Sequence, residues 1–381
     1  MSNPKPDDVI RIAGAGPSGL AAAIRLARAG RKVEVHEQRP VVGGRWKKGL
    51  QIIENFSEKD DVLAMIRELG LEINFDTTPI HRVTLRDGHK EAAEFNSRAP
   101  LGYYVRRGPY MGCLDAGLRA QAEKAGARIV FNSRIEPAKA RLACTGPRRV
   151  DGLGKEMTFA TPLSDRMTVI LDPELAPGGY AYLFILGGEA TLGIAVLGAY
   201  REVDTLFQKV SERFQAIEGL TVPAGEEAYL YANFFLKPTL ETSGRAYAGE
   251  AGGFQDYLFG FGIRYAIESG NLAARSILEP NSSYDALWKE RLGKKQKISL
   301  FNRFFYEKFP RWLPAYIVRG AQKSGDLREY LRIWYQPMTV KLWTAEAIGK
   351  FWNNKRTRLT LDPKAFVKEY ENEESRRLIH R

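Results

Sequence analysis

The clearest chemical signal in the sequence lies near its amino end, in Gly14-Ala-Gly16-Pro-Ser-Gly19. An apolar run over residues 9–13 precedes it, and LAAAIRLARAG follows, with Leu20, Ile24 and Ala27 at helical spacing and Gly30 as a stop. Residues 31–37 then alternate as a second strand should. Gly14 permits a tight turn, Gly16 lets the backbone approach a pyrophosphate, and Gly19 lets the helix pack close to the strand. The helix start offers unpaired N–H groups to phosphate. Glu37 closes the second strand, where a carboxylate can accept hydrogen bonds from an adenosine ribose. A glycine turn alone would say little. Flanked by strand, helix, strand and acid, it predicts dinucleotide binding. No second such turn follows a strand elsewhere, so a separate NAD(P)H domain is not expected.

Three further segments bear on which dinucleotide. Gly43-Gly44-Arg45 follows Glu37 closely and resembles the segment with which flavoprotein oxidoreductases pass their backbone over the FAD pyrophosphate. Arg107, Tyr110 and Leu114, ahead of a helix, are spaced as in a second motif of FAD-dependent hydroxylases and geranylgeranyl reductases, with Met111 where those families usually carry an acid. Residues 246–277 resemble the third FAD motif of the same superfamily: Gly249-Glu250-Ala-Gly-Gly253-Phe254, the loop Gly260-Phe-Gly262, and a helix from about Ile263. The resemblance implies that Arg107 reaches the cofactor and that Glu250, in place of the usual aspartate, binds the ribityl chain. It also implies that the helix start points its positive end at the flavin. A helix end carries about half an elementary charge, which favours negative charge on the flavin as it is reduced.

On the substrate side, residues 165–198 read as antiparallel strands. Tyr180-Ala-Tyr182-Leu-Phe184-Ile185 followed at a seven-residue gap by Gly193-Ile-Ala195 is similar to the geranylgeranyl reductase signature, Tyr-x-Trp-x-Phe-Pro and then Gly-x-Gly. Tyr182, Ile185 and Ala195 depart from it. Side chains two apart share one strand face, so Tyr180, Tyr182 and Phe184 would form an aromatic wall for a hydrocarbon. The family places a prenyl chain against such a wall. Two other departures stand out: the excursion expected over 133–150 is trimmed, with Thr145-Gly146 where Asp-Gly is usual, and Arg45-Trp46-Lys47-Lys48 stands where many relatives carry a cysteine.

The remaining chemistry is sparse. The four histidines, His36, His81, His89 and His380, have no metal-ligand spacing, and no metal is expected. The two cysteines, Cys113 and Cys144, form no CxxC pair and suit a reducing, cytoplasmic setting. No catalytic acid or base can be singled out.

Around these segments the chain must build a scaffold. It has 381 residues, 44% hydrophobic and 27% charged, which excludes a disordered or low-complexity protein. A capped helix is expected over 57–70, with Ser57 as cap and Gly70 as terminator, a second helix over 115–126, and a strand over 127–131. The expected fold is α/β: a Rossmann-type FAD-binding domain from residues 1–80, 101–150 and 243–295, an inserted antiparallel substrate-binding sheet from 81–100 and 151–242, and a helical C-terminal region over 296–381.

Net charge is +12, and residues 296–356 hold 12 Lys+Arg, 4 Asp+Glu and 13 aromatics, so two thirds of the excess sits there. Helices are expected at 298–308, 326–336 and 338–352. Rings mixed with cations suit peripheral contact with the cytoplasmic membrane face, or a helical cap over the substrate cavity with a solvated basic side. Nucleic acid is not expected. No secretory leader or membrane-spanning run is apparent, and residues 1–8 and 369–381 read as charged tails.

The resemblance implies an FAD-dependent oxidoreductase of the geranylgeranyl reductase type, acting on a prenyl substrate with an external electron donor, NAD(P)H or a ferredoxin-like protein. Two other readings share the flavin motifs: a monooxygenase using NAD(P)H and oxygen, and a flavoprotein that has lost catalysis and serves in assembly.

Overall fold

The computed structural model describes residues 8–356 except 47–48, 89–91, 148–149, 224–226, 235–238 and 280. Lys47-Lys48, Arg148-Arg149, His89, His380 and the terminal tails lie outside the described residues.

The amino-terminal glycine turn folds as its sterics require. Strand Ile10–Ala13 pairs in parallel with Val33–His36 on one side and Leu142–Ala143 on the other. The six-stranded sheet runs Glu241–Thr242, Arg245–Tyr247, Leu142–Ala143, Ile10–Ala13, Val33–His36, Arg128–Val130. Its strands are parallel apart from the short outer pair at 241–247. Helix Pro17–Arg28 starts straight after the turn, its apolar residues Leu20, Ile24 and Leu26 buried. Helix Ile263–Leu278 packs against it so closely that a Cβ on Gly270 would sit 2.0 Å from the Ser18 carbonyl oxygen. That closeness sets the start of the first helix against the middle of the second.

The second sheet has seven strands in the order Glu227–Ala232, Gly152–Ala160, Glu189–Val196, Tyr180–Leu186, Arg166–Leu171, Arg82–Asp87, Ala92–Asn96. All its pairings are antiparallel save that of Arg166–Leu171 with Arg82–Asp87. Leu183, Ile185, Leu192 and Ile194 face helix Val203–Glu218, which buries Leu206, Phe207, Val210 and Phe214 against them. The sequence reading has no counterpart to that helix. The opposite face carries Tyr182 and Phe184 and looks toward a three-stranded sheet of Leu50–Glu54, Gly102–Arg106 and Thr78–Ile80.

Two expectations change in detail. The helix expected over 57–70 spans Val62–Glu68, and its cap is Asp61, whose carboxylate accepts from the Leu63 and Ala64 amides. Ser57 instead donates its hydroxyl to Glu54 at 2.7 Å. The C-terminal region forms helices Gly293–Lys308, Leu313–Ser324, Leu327–Tyr335 and Thr339–Arg356. Helix Leu313–Ser324 is absent from the expected set because Pro314 reads as punctuation. Proline is tolerated in a first helical turn, where its missing N–H has no intrahelical partner to lose.

The C-terminal helices are fastened to loops beside the seven-stranded and three-stranded sheets. Arg303 donates to the carbonyls of Gly178 and Leu258, and the Tyr306 hydroxyl donates to the Gly179 carbonyl at 2.8 Å. Arg328 donates to the carbonyls of Asn55, Glu58 and Lys59.

Candidate functional site

The glycines of the first turn divide into two kinds. A Cβ on Gly14 would lie 2.3 Å from the Cys144 carbonyl oxygen, and one on Gly19 would lie 2.0 Å from the Gly14 carbonyl oxygen. Those positions are closed by the protein itself, and Gly14 has φ +99°, a backbone that favours glycine. A Cβ on Gly16 would meet nothing within 4 Å. The space in front of Gly16 is open, and Gly16 is the N-cap of a helix with no side-chain cap and no acid in its first turn. Glu37 stands beside it, accepting from the Ala15 amide at 3.1 Å and the Arg39 amide at 3.0 Å.

A second helix start shows the same preparation. Helix Ile263–Leu278 begins after Gly262 with no side-chain cap and no acid in its first turn. Gly260, at φ +80°, also faces space that no atom fills within 4 Å. Between the two starts lies Glu250. Its carboxylate oxygens are 3.9 Å from the Cβ positions of Gly146 and Gly262, and among the described residues no donor binds it. Burial pushes its acidity down, and the nearby Arg45 and Arg107 charges pull the other way. Two open glycines, two uncapped helix starts and an unbonded carboxylate fit an FAD: its phosphates at the first turn, its ribityl chain by Glu250 and its ring by residues 260–263.

The two arginines are arranged differently from one another. Arg107 makes a bidentate pair with Asp115, at 2.7 and 2.9 Å, and stacks 4.7 Å from the Trp46 ring centroid. Burial works against its charge, but Asp115 outweighs that and holds it above the usual arginine range. The Gly43 turn packs directly onto this pair, a Cβ there falling 2.8 Å from that of Asp115. Arg45, next to Gly44, reaches to the seven-stranded sheet, donating to the Tyr229 carbonyl at 3.0 Å and lying 5.0 Å from the Tyr231 ring. Phe254 is in the core, edge-on to Trp288 at 5.6 Å, while Gly249 and Gly253 adopt φ +61° and +80° in the turn before it. Ile263 opens the helix and is buried.

The three aromatic residues of the substrate sheet come together as a wall. Tyr182 and Phe184 stack at 4.6 Å, and Tyr180 lies 5.9 Å from Tyr182. Tyr180 donates its hydroxyl to the Phe259 carbonyl at 2.6 Å, which ties the wall to the glycine loop. Phe56, Phe259 and Phe261 extend it with edge contacts of 5.8–6.3 Å.

Three acids in this region were not singled out by the sequence. Asp115 holds Arg107. Asp256 binds the Phe259 amide at 2.7 Å and accepts from the Ser299 and Tyr335 hydroxyls at 2.5 and 2.8 Å, so it shapes the loop ahead of Gly260. Burial pushes its pKa up to about 6. An Asp three residues before the bound amide is a readable turn signal. Glu156 accepts from the Tyr182 hydroxyl at 2.8 Å and the Gln51 amide at 3.0 Å, and burial pushes its pKa up to about 7. It carries no motif signal.

Cys113 and Cys144 are free and buried, and burial pushes the Cys144 thiol up to about 12. Among the described residues no cluster of three or more His, Cys, Asp or Glu could hold a metal ion. No helix among them is long and apolar enough to cross a membrane.

Comparison with known proteins agrees with this geometry. Residues 12–69 match the NAD(P)-binding Rossmann-like domain. The chain is 28% identical over 198 residues to the digeranylgeranylglycerophospholipid reductase of Haloferax volcanii, covering 43% of this chain and 48% of that one. It is 30% identical over 139 residues to the protein of the same name from Methanocella arvoryzae, covering 32% of this chain and 34% of that one. The matches thus span less than half the length of these relatives. A geranylgeranyl bacteriochlorophyll reductase-like protein of Thermoplasma acidophilum shares the fold, with TM-score 0.68 at 18% identity over 96% of this chain and 98% of that one. So does a flavin-dependent brominase, with TM-score 0.63 at 15% identity over 92% and 99%.

Fold and site together define the class, a dinucleotide-binding protein built on a Rossmann-type sheet, with a site that fits FAD. Within that class the chain is similar to the digeranylgeranylglycerophospholipid reductases in sequence and to a geranylgeranyl bacteriochlorophyll reductase-like protein in fold.

Proposed function

We propose that this protein reduces carbon–carbon double bonds of an isoprenoid or similar lipid. The observation that carries the reading is the wall of Tyr180, Tyr182 and Phe184, set against the glycine loop where the flavin ring would lie. FAD supplies the hydride when bound and reduced. The chain's own part is to hold a hydrocarbon against that ring, exclude water with Phe56, Phe259 and Phe261, and orient the cofactor through Gly16, Glu250 and the two helix starts. Electrons come from an external donor, NAD(P)H or a ferredoxin-like protein. The test is a visible spectrum of the purified protein, anaerobic reduction, and mass analysis of added prenyl lipids. A gain of two hydrogens per double bond supports the reading. NADPH oxidation with oxygen uptake on aromatic compounds would replace it with a monooxygenase, and colourless protein that takes up no FAD would remove both.

The basic aromatic helices support peripheral contact with an anionic bilayer on the cytoplasmic face. Trp312, Tyr316 and Trp343 are 78%, 64% and 76% exposed. Arg311, Arg319 and Lys323 line the groove beside the first two. Tyr316 lies 6.3 Å from Trp334, and Lys341 reaches the Trp334 carbonyl at 2.8 Å and the Phe301 ring at 5.9 Å, so rings and cations form one belt. Rings at headgroup depth with cations on anionic lipid match that chemistry.

A further inference from the structure

The seven-stranded sheet aligns three residues in one row. Tyr182 is paired with Gly193, and Gly193 with Glu156, so all three positions share one face. Gly193 has no side chain, and the Tyr182 ring lies over it: a Cβ there would fall 2.1 Å from Tyr182 Cζ. The hydroxyl thereby crosses a whole strand to reach Glu156 Oε2 at 2.8 Å. Gln51, from the three-stranded sheet, donates to the same carboxyl oxygen at 3.0 Å.

The surroundings of Glu156 are unlike those of a structural ion pair. It is 3% exposed, yet the two donors that bind it are neutral. Two guanidiniums lie near enough to favour its charged form, but Arg107 is bonded to Asp115 and Arg45 to the Tyr229 carbonyl. Lys155, its neighbour on the strand, pairs with Asp204 and Glu227. Residue 228 on the next strand is alanine and residue 193 is glycine, so neither adds a charge. Among the described residues no cation is bonded directly to Glu156, so the cost of burying its charge is only partly offset. A glutamine here would keep the bond from Tyr182 through its carbonyl oxygen, so the fold does not require an acid.

Reducing a carbon–carbon double bond takes a hydride on one carbon and a proton on the other. The reduced cofactor supplies the first, and the sequence named no source for the second. We infer that Glu156 is the acid that gives this proton, with Tyr182 as the residue that positions it. The inference rests on the double-bond reductase reading. In the step, the carboxyl O–H bond breaks as the new C–H bond forms. The carboxylate left behind accepts from Tyr182 and Gln51, feels the charges of Arg45 and Arg107, and is reprotonated from solvent. An acid poised near neutrality suits such transfer.

The experiment uses the full-length, FAD-loaded protein with Glu156→Gln and Tyr182→Phe variants. Infrared difference spectra across pH 5–9 should show a carboxyl band titrating near neutrality in wild type, distinct from that of Asp256, missing from Glu156→Gln, and moved to higher pH in Tyr182→Phe, which lacks a bond that favours the charged form. In anaerobic single turnovers with a geranylgeranyl-bearing lipid, Glu156→Gln should bind FAD and accept electrons from dithionite normally. Its oxidation by the lipid should slow about 100-fold or more. Tyr182→Phe should turn over with its alkaline limb moved to higher pH. A wild-type protein that reduces no prenyl chain overturns the functional reading and this proposal with it. Wild-type turnover in Glu156→Gln, or a residue ionised at every pH tested, overturns the proposal alone.

Discussion

Replacing Gly193 by alanine tests the row beneath the aromatic wall while leaving every functional group in place in the sequence. The new Cβ would sit 2.1 Å from Tyr182 Cζ and 2.3 Å from its hydroxyl oxygen, so the ring must move by more than an ångström. Phe184 stacks on it at 4.6 Å and Tyr180 flanks it at 5.9 Å, so it cannot slide along the strand. It must lift away and release Glu156. Overpacking costs about 1–3 kcal/mol, and the lost hydrogen bond about 0.5–1.5 kcal/mol. Alanine in place of a strand glycine returns about 0.5–1 kcal/mol. The expected net loss is about 0.5–4 kcal/mol, read from urea unfolding with an unchanged slope. In a Tyr182→Ala background the obstacle is gone, so the same substitution should become neutral or stabilising by up to about 1 kcal/mol. Effects that add within about 0.5 kcal/mol across the cycle would refute the packing of Tyr182 over Gly193.

Gly16→Ala should fold with stability within about 0.5 kcal/mol of wild type yet emerge with little bound FAD, whereas Gly19→Ala, whose Cβ would lie 2.0 Å from the Gly14 carbonyl oxygen, should yield little folded protein; spectra and thermal melts separate the two. Glu156 and Asp256 have folded pKa values raised to about 7 and about 6 from 4.5 and 3.8, so the native state binds more protons and stability falls as pH rises through those ranges. Glu156→Gln should remove up to about 3 kcal/mol of that fall between pH 4.5 and 7, seen as a flatter profile of unfolding free energy; an unchanged profile refutes the assignment. Vesicles containing phosphatidylglycerol should pellet the wild-type protein at low salt and release it at high salt, and Trp312→Ala with Trp343→Ala should weaken pelleting without lowering the melting temperature. Equal binding to neutral vesicles, or none, refutes the lipid reading. Tyr335→Phe removes one bond to Asp256 and should weaken FAD binding several-fold, measured by fluorescence titration, although Tyr335 is remote in sequence from every glycine motif.

What the sequence made readable was local. Gly19 is forced by the Gly14 carbonyl within one strand–turn–helix unit, while Gly14 and Gly260 hold φ of +99° and +80° in the turn and loop that open their helices. Such requirements leave fixed spacings. The aromatic triplet was readable because strand periodicity alone puts Tyr180, Tyr182 and Phe184 on one face. Glu156 was not, because its role depends on the register of three strands and on a glycine 37 positions later. Asp115 lies only eight residues after Arg107, yet a helix start intervenes, and nothing in the residue types says that the two side chains meet. Ser57 and Asp61 show the same limit at short range. Both are good caps, and the choice fell to Asp61 because Asn55 and Tyr103 also donate to its carboxylate, while Glu54 takes the Ser57 hydroxyl.

The glycine loop ahead of helix Ile263–Leu278 is held from outside the Rossmann-type sheet. Asp256 fixes the Phe259 amide, and the groups that fix Asp256 are Ser299 and Tyr335, on two C-terminal helices. Arg303, on the same helix as Ser299, binds the Leu258 carbonyl in that loop and the Gly178 carbonyl at the start of the aromatic wall. The first turn of the flavin-side helix is braced the same way: Arg264 pairs with Glu54, Glu58 and Glu268, and Arg291 and Lys295 neutralise the surplus acids. A cation in a helix's first turn opposes the helix dipole. The three carboxylates around Arg264 offset that charge, so the positive end of the helix is kept for the ligand. The C-terminal region is therefore part of the candidate site, through the helices that hold Asp256 and the loop ahead of Gly260.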